Sequence, residues 1–146
     1  MDIVPLRADL MPVWIAQRCL LWPNADPADL ARESVELGAD PDRYGVMVAL
    51  QGAGGCAGFV EVSLRHHAEG CTSSPVGYIE AWYVSSAHRR AGLGRRLIRA
   101  AESWARERGC VEMASDTETV NLVSRAAHRA VGFETVEEVV LFRKRL

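Results

Sequence analysis

Four groups of residues have the types and spacing to do chemistry. The first is the loop His88-Arg89-Arg90-Ala91-Gly92-Leu93-Gly94, which follows a strand-like run and opens a basic amphipathic segment. A glycine-bearing loop at a helix N-terminus offers free backbone N–H groups and the positive end of the helix dipole, which suits phosphate. Ordinary turn chemistry is the alternative, because glycine serves any tight turn. Gly-Lys-Ser/Thr of a Walker A loop is absent, and Leu97 stands where a dinucleotide fingerprint needs its third glycine. The second group is Glu80, alone among apolar neighbours in Val76-Gly77-Tyr78-Ile79-Glu80-Ala81-Trp82-Tyr83-Val84. An unpaired buried carboxylate is costly, so Glu80 either faces a polar cleft or sits in a structural ion pair.

Asp116 is the third candidate, between a strand and a helix, where it either caps that helix, as Thr117 or Thr119 also could, or serves a site. Asn121, Ser124 and His128 form the fourth, spaced i, i+3, i+7 and therefore on one helical face. That stripe is either the solvent side of the helix or a functional one. His66-His67 with Cys71 nearby is a poor metal set, since adjacent strand residues point to opposite faces and further ligands are missing. Cys19, Cys56, Cys71 and Cys110 show no CxxC spacing, and reduced thiols without a catalytic role are expected.

These groups need a scaffold, and the chain supplies one domain's worth. Its 146 residues, 49% hydrophobic and 25% charged, suit a single globular domain spanning 1–146. No apolar run approaches membrane-span length and the first residues lack signal-peptide character, so a cytoplasmic protein without membrane contacts is expected. The net charge of −2 argues against a general nucleic-acid binder, yet residues 88–108 hold seven arginines against two glutamates. A local polyanionic ligand is the functional reading of that run, and a solvated helix face the plain one.

Periodicity and punctuation give a strand at Ile3–Leu6, helices at Ala8–Leu21 and Pro27–Leu37, and strands at Tyr44–Leu50, Cys56–Leu64 and Val76–Val84. A helix over Leu93–Arg106, a strand at Val111–Ser115, a helix over Val120–Val131 and a last strand at Phe133–Phe142 complete the order. Adjacent hairpins mixed with crossover helices imply an α/β (α+β) fold, with a mixed central sheet flanked by helices.

Arg89-x-x-Gly92-x-Gly94 resembles the acetyl-CoA pyrophosphate loop of the GNAT superfamily of N-acetyltransferases, and the order of elements agrees. A closer resemblance is to the aminoglycoside 6′-N-acetyltransferases. It is carried by Leu21-Trp22-Pro23, Arg65-His66, Gly70-Cys71, Ser73-Ser74-Pro75, Glu112-Met113-Ala114-Ser115-Asp116-Thr117, Asn121 with Ser124 and His128, Gly132-Phe133-Glu134 and Arg143-Lys144-Arg145. This resemblance implies acetyl-CoA as co-substrate, no metal, a 6′-amine of an aminoglycoside as acceptor, antibiotic resistance and a homodimer with the region near Glu137 at its interface.

The resemblance also implies residue roles. The loop residues Arg89, Arg90, Gly92 and Gly94, with Trp82, Tyr83 and Val84 at the strand end and Asn121 on the pantetheine arm, would hold acetyl-CoA. Trp22, His66, Glu80, Asp116 and Glu137 would meet the aminoglycoside. Glu80 or Asp116 would accept the amine's proton, and His128 would protonate the leaving thiolate where many superfamily members have a tyrosine. The loop His66–Cys71 is shorter than that family's and lacks its tyrosine. Transfer to another small or protein amine, and a CoA-binding module without catalysis, are the alternative functions.

Overall fold

The computed structural model describes residues 1–52 and 54–146. Strand β1 (Asp2–Pro5) leads through a short 3-10 turn into helices α1 (Met11–Leu21) and α2 (Pro27–Gly38). Strands β2 (Tyr44–Gln51), β3 (Gly55–Arg65) and β4 (Val76–Val84) follow, then α3 (Leu93–Glu107), β5 (Met113–Ser115) and α4 (Leu122–Ala130). One five-stranded sheet has the order β1-β2-β3-β4-β5, antiparallel except for the last pair, β4 with β5. The parallel pair requires a crossover, and α3 provides it.

Near-continuous apolar runs in β2 to β4 give the sheet two buried faces. On one face Val60, Val62 and Ile79 pack with Leu93, Leu97, Ile98 and Ala101 of α3. On the other, Val46, Val48, Phe59 and Ala81 pack with Leu10 and Trp14 at the start of the chain. The helical spacing read for α3 is therefore its core face, and Trp104 joins it partly buried. Asp26 starts α2 by accepting a hydrogen bond from the Ala28 N–H, with Pro27 at the first helical position.

Three expectations are corrected. The first eight-to-ten stretch is a 3-10 turn rather than α-helix, and β5 is three residues long. The strand expected at Phe133–Phe142 is absent: residues 133–146 carry the apolar Val136 and Val139 to Phe142 but pair with no strand among the described residues. A strand exists only through a ladder of backbone hydrogen bonds to a neighbour, and the tail makes no such ladder among the described residues. Val136 instead packs on Gly70, whose added Cβ would come within 2.8 Å of it.

The amphipathic sense of α4 is also inverted. Val120, Leu122 and Val123 are exposed at the start of the helix, while Ser124 and His128 are half-buried. Of the polar stripe, Ser124 and His128 turn inward, while Asn121, the N-cap, is exposed.

Candidate functional site

The site is built where β4 changes register. Glu61 lies opposite Ala81 but Val62 lies opposite Ile79, so Glu80 is an extra residue without a partner on β3. Such a bulge re-aims a side chain. Glu80 thereby joins Ser63, Tyr44 and Trp22 in a cleft of about 670 Å³ between the sheet and the first two helices. At nearly the same level β5 stops: Ser115 faces Ile79, and from Glu80 to Val84 the outer edge of β4 has no strand partner. The sheet is split there, which opens the outer backbone edge of β4 up to Val84, whose carbonyl accepts from Arg89.

Glu80 is held in the ion pair that the sequence left open as an alternative. Arg65 Nε and Nη2 donate to Oε1 at 3.0 and 2.8 Å, Nη2 also reaches Oε2 at 2.9 Å, and Ser63 Oγ donates at 2.6 Å. The pair is open to solvent, with side-chain exposures of 26% for Glu80 and 43% for Arg65. Arg65 also stacks on the Tyr78 ring, 3.5 Å from its centroid, and the Tyr78 hydroxyl donates to Asp116. Burial, then this bond to Asp116, pushes the Tyr78 phenol up, so it stays a donor. One arginine and one tyrosine thus link the two acids. Asp116 does not cap α4; Asn121 does, accepting from the Ser124 N–H at 3.0 Å.

The cleft is acidic. Glu33, Glu36 and Asp40 line it with Glu80, against Arg18 and Arg43, and Trp22 forms part of its wall under the Arg18 guanidinium. Its floor contains a group that sequence reasoning missed. Glu61, 1% exposed, is paired to Arg18 Nε at 2.9 Å and accepts hydrogen bonds from Trp14 Nε1 at 3.0 Å and Tyr44 Oη at 2.5 Å. Burial raises the Glu61 carboxyl and Arg18 opposes that shift; burial and the Glu61 charge push Tyr44 far up. The signal was present in Phe59-Val60-Glu61-Val62, a charge inside an apolar strand like Glu80.

On the other side of β4 stands a histidine. The His128 ring meets Trp82 and Phe133 edge-on, at centroid distances of 5.5 and 5.4 Å. Its Nδ1 lies 2.8 Å from the Ser124 carbonyl oxygen and its Nε2 lies 2.8 Å from Ser115 Oγ. Trp82 Nε1 is buried without a protein partner. A second cleft, of about 490 Å³, collects Ser115, Asp116, His128 and Glu137.

Between Val84 and α3 the chain turns through Arg90 at φ 61° and Gly92 at φ 78°, both in the left-handed region. Arg89 Nε donates to the Val84 carbonyl at 2.9 Å. Gly92 is the N-cap of α3 and no side chain caps that end, so the first-turn N–H groups are free for an anion. Gly94 is needed for a different reason: a Cβ there would meet the Trp82 ring at 3.0 Å.

Not every expected residue converges. Glu80 and Trp22 line one cleft, Asp116 and Glu137 the other, joined through Arg65 and Tyr78. His66 is exposed at the end of β3 and makes no hydrogen bond among the described residues. No group of three metal-binding side chains stands together among the described residues. The four cysteines are free thiols, and burial raises those of Cys56, Cys71 and Cys110, which keeps them protonated. Among the described residues no helix is long and apolar enough to cross a membrane.

Comparison with known proteins adds to this geometry. The model of the acetyltransferase (GNAT) family matches residues 9–133. The chain is 43% identical over 135 residues to an aminoglycoside N(6′)-acetyltransferase type 1 of Klebsiella aerogenes, covering 91% of this chain and 89% of the relative. To the protein of that name from Serratia marcescens it is 41% identical, with 99% of each chain covered. Among solved structures, aminoglycoside N-acetyltransferase AAC(6′)-Iy in complex with the bisubstrate analog CoA-S-monomethyl-acetylneamine superposes with a TM-score of 0.92. That protein is 34% identical over 99% of this chain and 98% of its own. The apo 6′-N-acetyltransferase AAC(6′)-IG of Acinetobacter haemolyticus gives 0.93 at 35% identity, covering 100% and 99%.

Proposed function

The chain belongs to the GNAT acetyltransferase family, and from that premise we propose that it transfers acetyl from acetyl-CoA to the 6′-amine of aminoglycosides, conferring resistance. The observation that carries the reading is near-full-length identity to enzymes of that activity. Residues 1–146 act as one catalytic unit. A cytoplasmic setting, reducing and supplied with acetyl-CoA, suits four free thiols.

The clefts supply the chemistry. An aminoglycoside is a polycation, and Glu80, Asp116, Glu137 and the acidic rim of α2 attract it, with the Trp22 ring as an apolar wall. His66 would join them from the loop after β3. The ammonium competes with Arg65 for Glu80, whose Oε2 carries only one protein hydrogen bond. Glu80 or Asp116, directly or through a water, takes the proton so that the amine's lone pair attacks the thioester carbonyl. Backbone N–H groups of the open β4 edge near Tyr83 and Val84 stabilise the oxygen as it becomes negative. Arg89, Arg90, Gly92 and Gly94 hold the pyrophosphate, while Trp82 and Asn121 line the pantetheine arm.

A homodimer is part of the proposal. What supports it is the apolar surface left bare on one chain: Leu122 and Val123 of α4, and Val136, Val139, Val140, Leu141 and Phe142 of the tail, are all more than half exposed. A monomer in sedimentation at micromolar protein would contradict the dimer. For the activity, a thiol-release assay with identification of products is expected to show acetylation of aminoglycosides bearing a 6′-amine and none of their 6′-hydroxyl analogues. Acetylation at another ring amine overturns the regiochemistry.

A further inference from the structure

We propose that Ser115 is the group through which His128 delivers a proton to the departing thiolate, so that His128 itself acts as a positioning and proton-holding residue. The inference rests on the acetyl-transfer reading above. Its basis is the pair of hydrogen bonds that fixes the imidazole. Nδ1 has two neighbours on its own helix, the Ser124 carbonyl oxygen at 2.8 Å and the Ser124 hydroxyl at 3.3 Å; a backbone carbonyl only accepts, so the shorter contact places the proton on Nδ1. In the neutral ring Nε2 is then an acceptor, and Ser115 Oγ at 2.8 Å must donate to it.

The neutral imidazole therefore has no N–H to offer the cleft: one nitrogen is spent on its own helix and the other is covered by Ser115. Trp82 and Phe133 each pack edge-on against the ring and help hold it in this orientation. Charged groups on the surrounding elements bond elsewhere. Asp116 accepts from Tyr78, Arg95 of α3 donates to the Ala130 carbonyl, and Arg125 of α4 pairs with Glu138. Ser115 is the last residue of β5, at the level where β4 loses its partner and its edge opens. Ser115 and His128 both line the second cleft.

Protonation at Nε2 reverses the polarity of the Ser115 bond. Nε2–H then donates to Oγ, and the hydroxyl hydrogen turns towards the split. As the carbon–sulfur bond of the tetrahedral intermediate breaks, sulfur keeps the electron pair and takes the Ser115 proton, while Oγ takes the proton from Nε2. The products are a thiol, an intact serine and a neutral histidine, which recovers its proton from solvent. The proton shed by the amine leaves separately through Glu80 or Asp116.

Single-turnover acetyl transfer tests the relay, because it reads chemistry apart from product release. Ser115→Ala is expected to slow the step about 10²-fold, the lower end for general acid catalysis, with acetyl-CoA affinity unchanged in calorimetry. His128→Ala should lose a similar factor, the double variant no more than either single, and Ser115→Thr should recover part of the rate. Independently of activity, nitrogen NMR of the four histidines should show His128 protonated on Nδ1, and Ser115→Ala should shift its Nε2 resonance by removing the bond. A wild-type rate in Ser115→Ala, losses that multiply in the double variant, or an unmoved Nε2 resonance overturns the proposal. Wild-type protein that acetylates no aminoglycoside overturns the function reading instead, and the resonance still decides whether the bond exists.

Discussion

Glu61 and Glu80 sit on neighbouring strands, point to the same face of the sheet and are each paired with an arginine, yet they are built for different ends. Glu61 is 1% exposed, and its carboxylate is surrounded by Arg18, Trp14 and Tyr44. Glu80 keeps a quarter of its side chain exposed, in a pair that solvent screens. A dry pair contributes specificity of packing and fails badly when half of it is removed. A wet pair contributes little stability and can exchange its partner for a substrate cation. The bulge at Glu80 is what separates the two cases, because it lifts that one side chain out of the ladder into the cleft.

The comparison is sharpest in stability. Glu61→Leu, which takes from buried Arg18 its inner carboxylate partner and leaves it Glu33 on the outer side, should cost about 3 kcal/mol in denaturant unfolding, whereas Arg18→Met with Glu61→Leu should recover most of it. Equal destabilisation by Glu80→Gln would erase the distinction between the two sites.

Catalysis should separate them in the other direction. Glu80→Gln and Asp116→Asn should each lower kcat/KM for the aminoglycoside about 10²-fold with the acetyl-CoA dissociation constant unchanged. An effect of that size on acetyl-CoA binding would place these acids on the wrong side of the split.

Smaller effects test the anion loop. Gly92→Val forces a side chain into φ 78°, and strain of about 1–2 kcal/mol should weaken acetyl-CoA binding roughly tenfold while thermal stability falls only slightly. Gly94→Val is a poorer probe, because it strikes Trp82 as well as any ligand.

The smallest effect concerns a third carboxylate, Glu112, which is set against the loop before β4. The Ser73 hydroxyl and then the Thr72 and Ser73 backbone N–H groups hold its carboxyl below the ordinary range. A folded value depressed below the unfolded one, about 4.3, gives stability that is present above that pH and lost as pH falls through the folded value. Wild type and Glu112→Gln should therefore differ by a constant amount near neutrality and converge in acid, as followed by thermal unfolding from pH 7 to pH 3. A difference that grows on acidification would reverse the assignment.

The sequence by itself determined much of this protein. Short apolar runs bounded by turn residues set β2, β3 and β4, the spacing of Leu93, Leu97 and Ala101 set the core face of α3, and Gly92 after a strand set the turn that opens α3, because these patterns depend on local geometry and on burial. A carboxylate amid apolar neighbours marked Glu80 before any partner was known. What tertiary structure decided were the partners. Arg65 lies on a different strand from Glu80, Tyr78 is 38 residues from Asp116, and Trp14 is 47 residues from Glu61. Hydrogen bonds over such separations leave no period in the sequence. The inverted α4 and the unpaired tail follow the same rule: a hydrophobic stripe says that a face is buried, and which surface buries it is settled only by what packs against it.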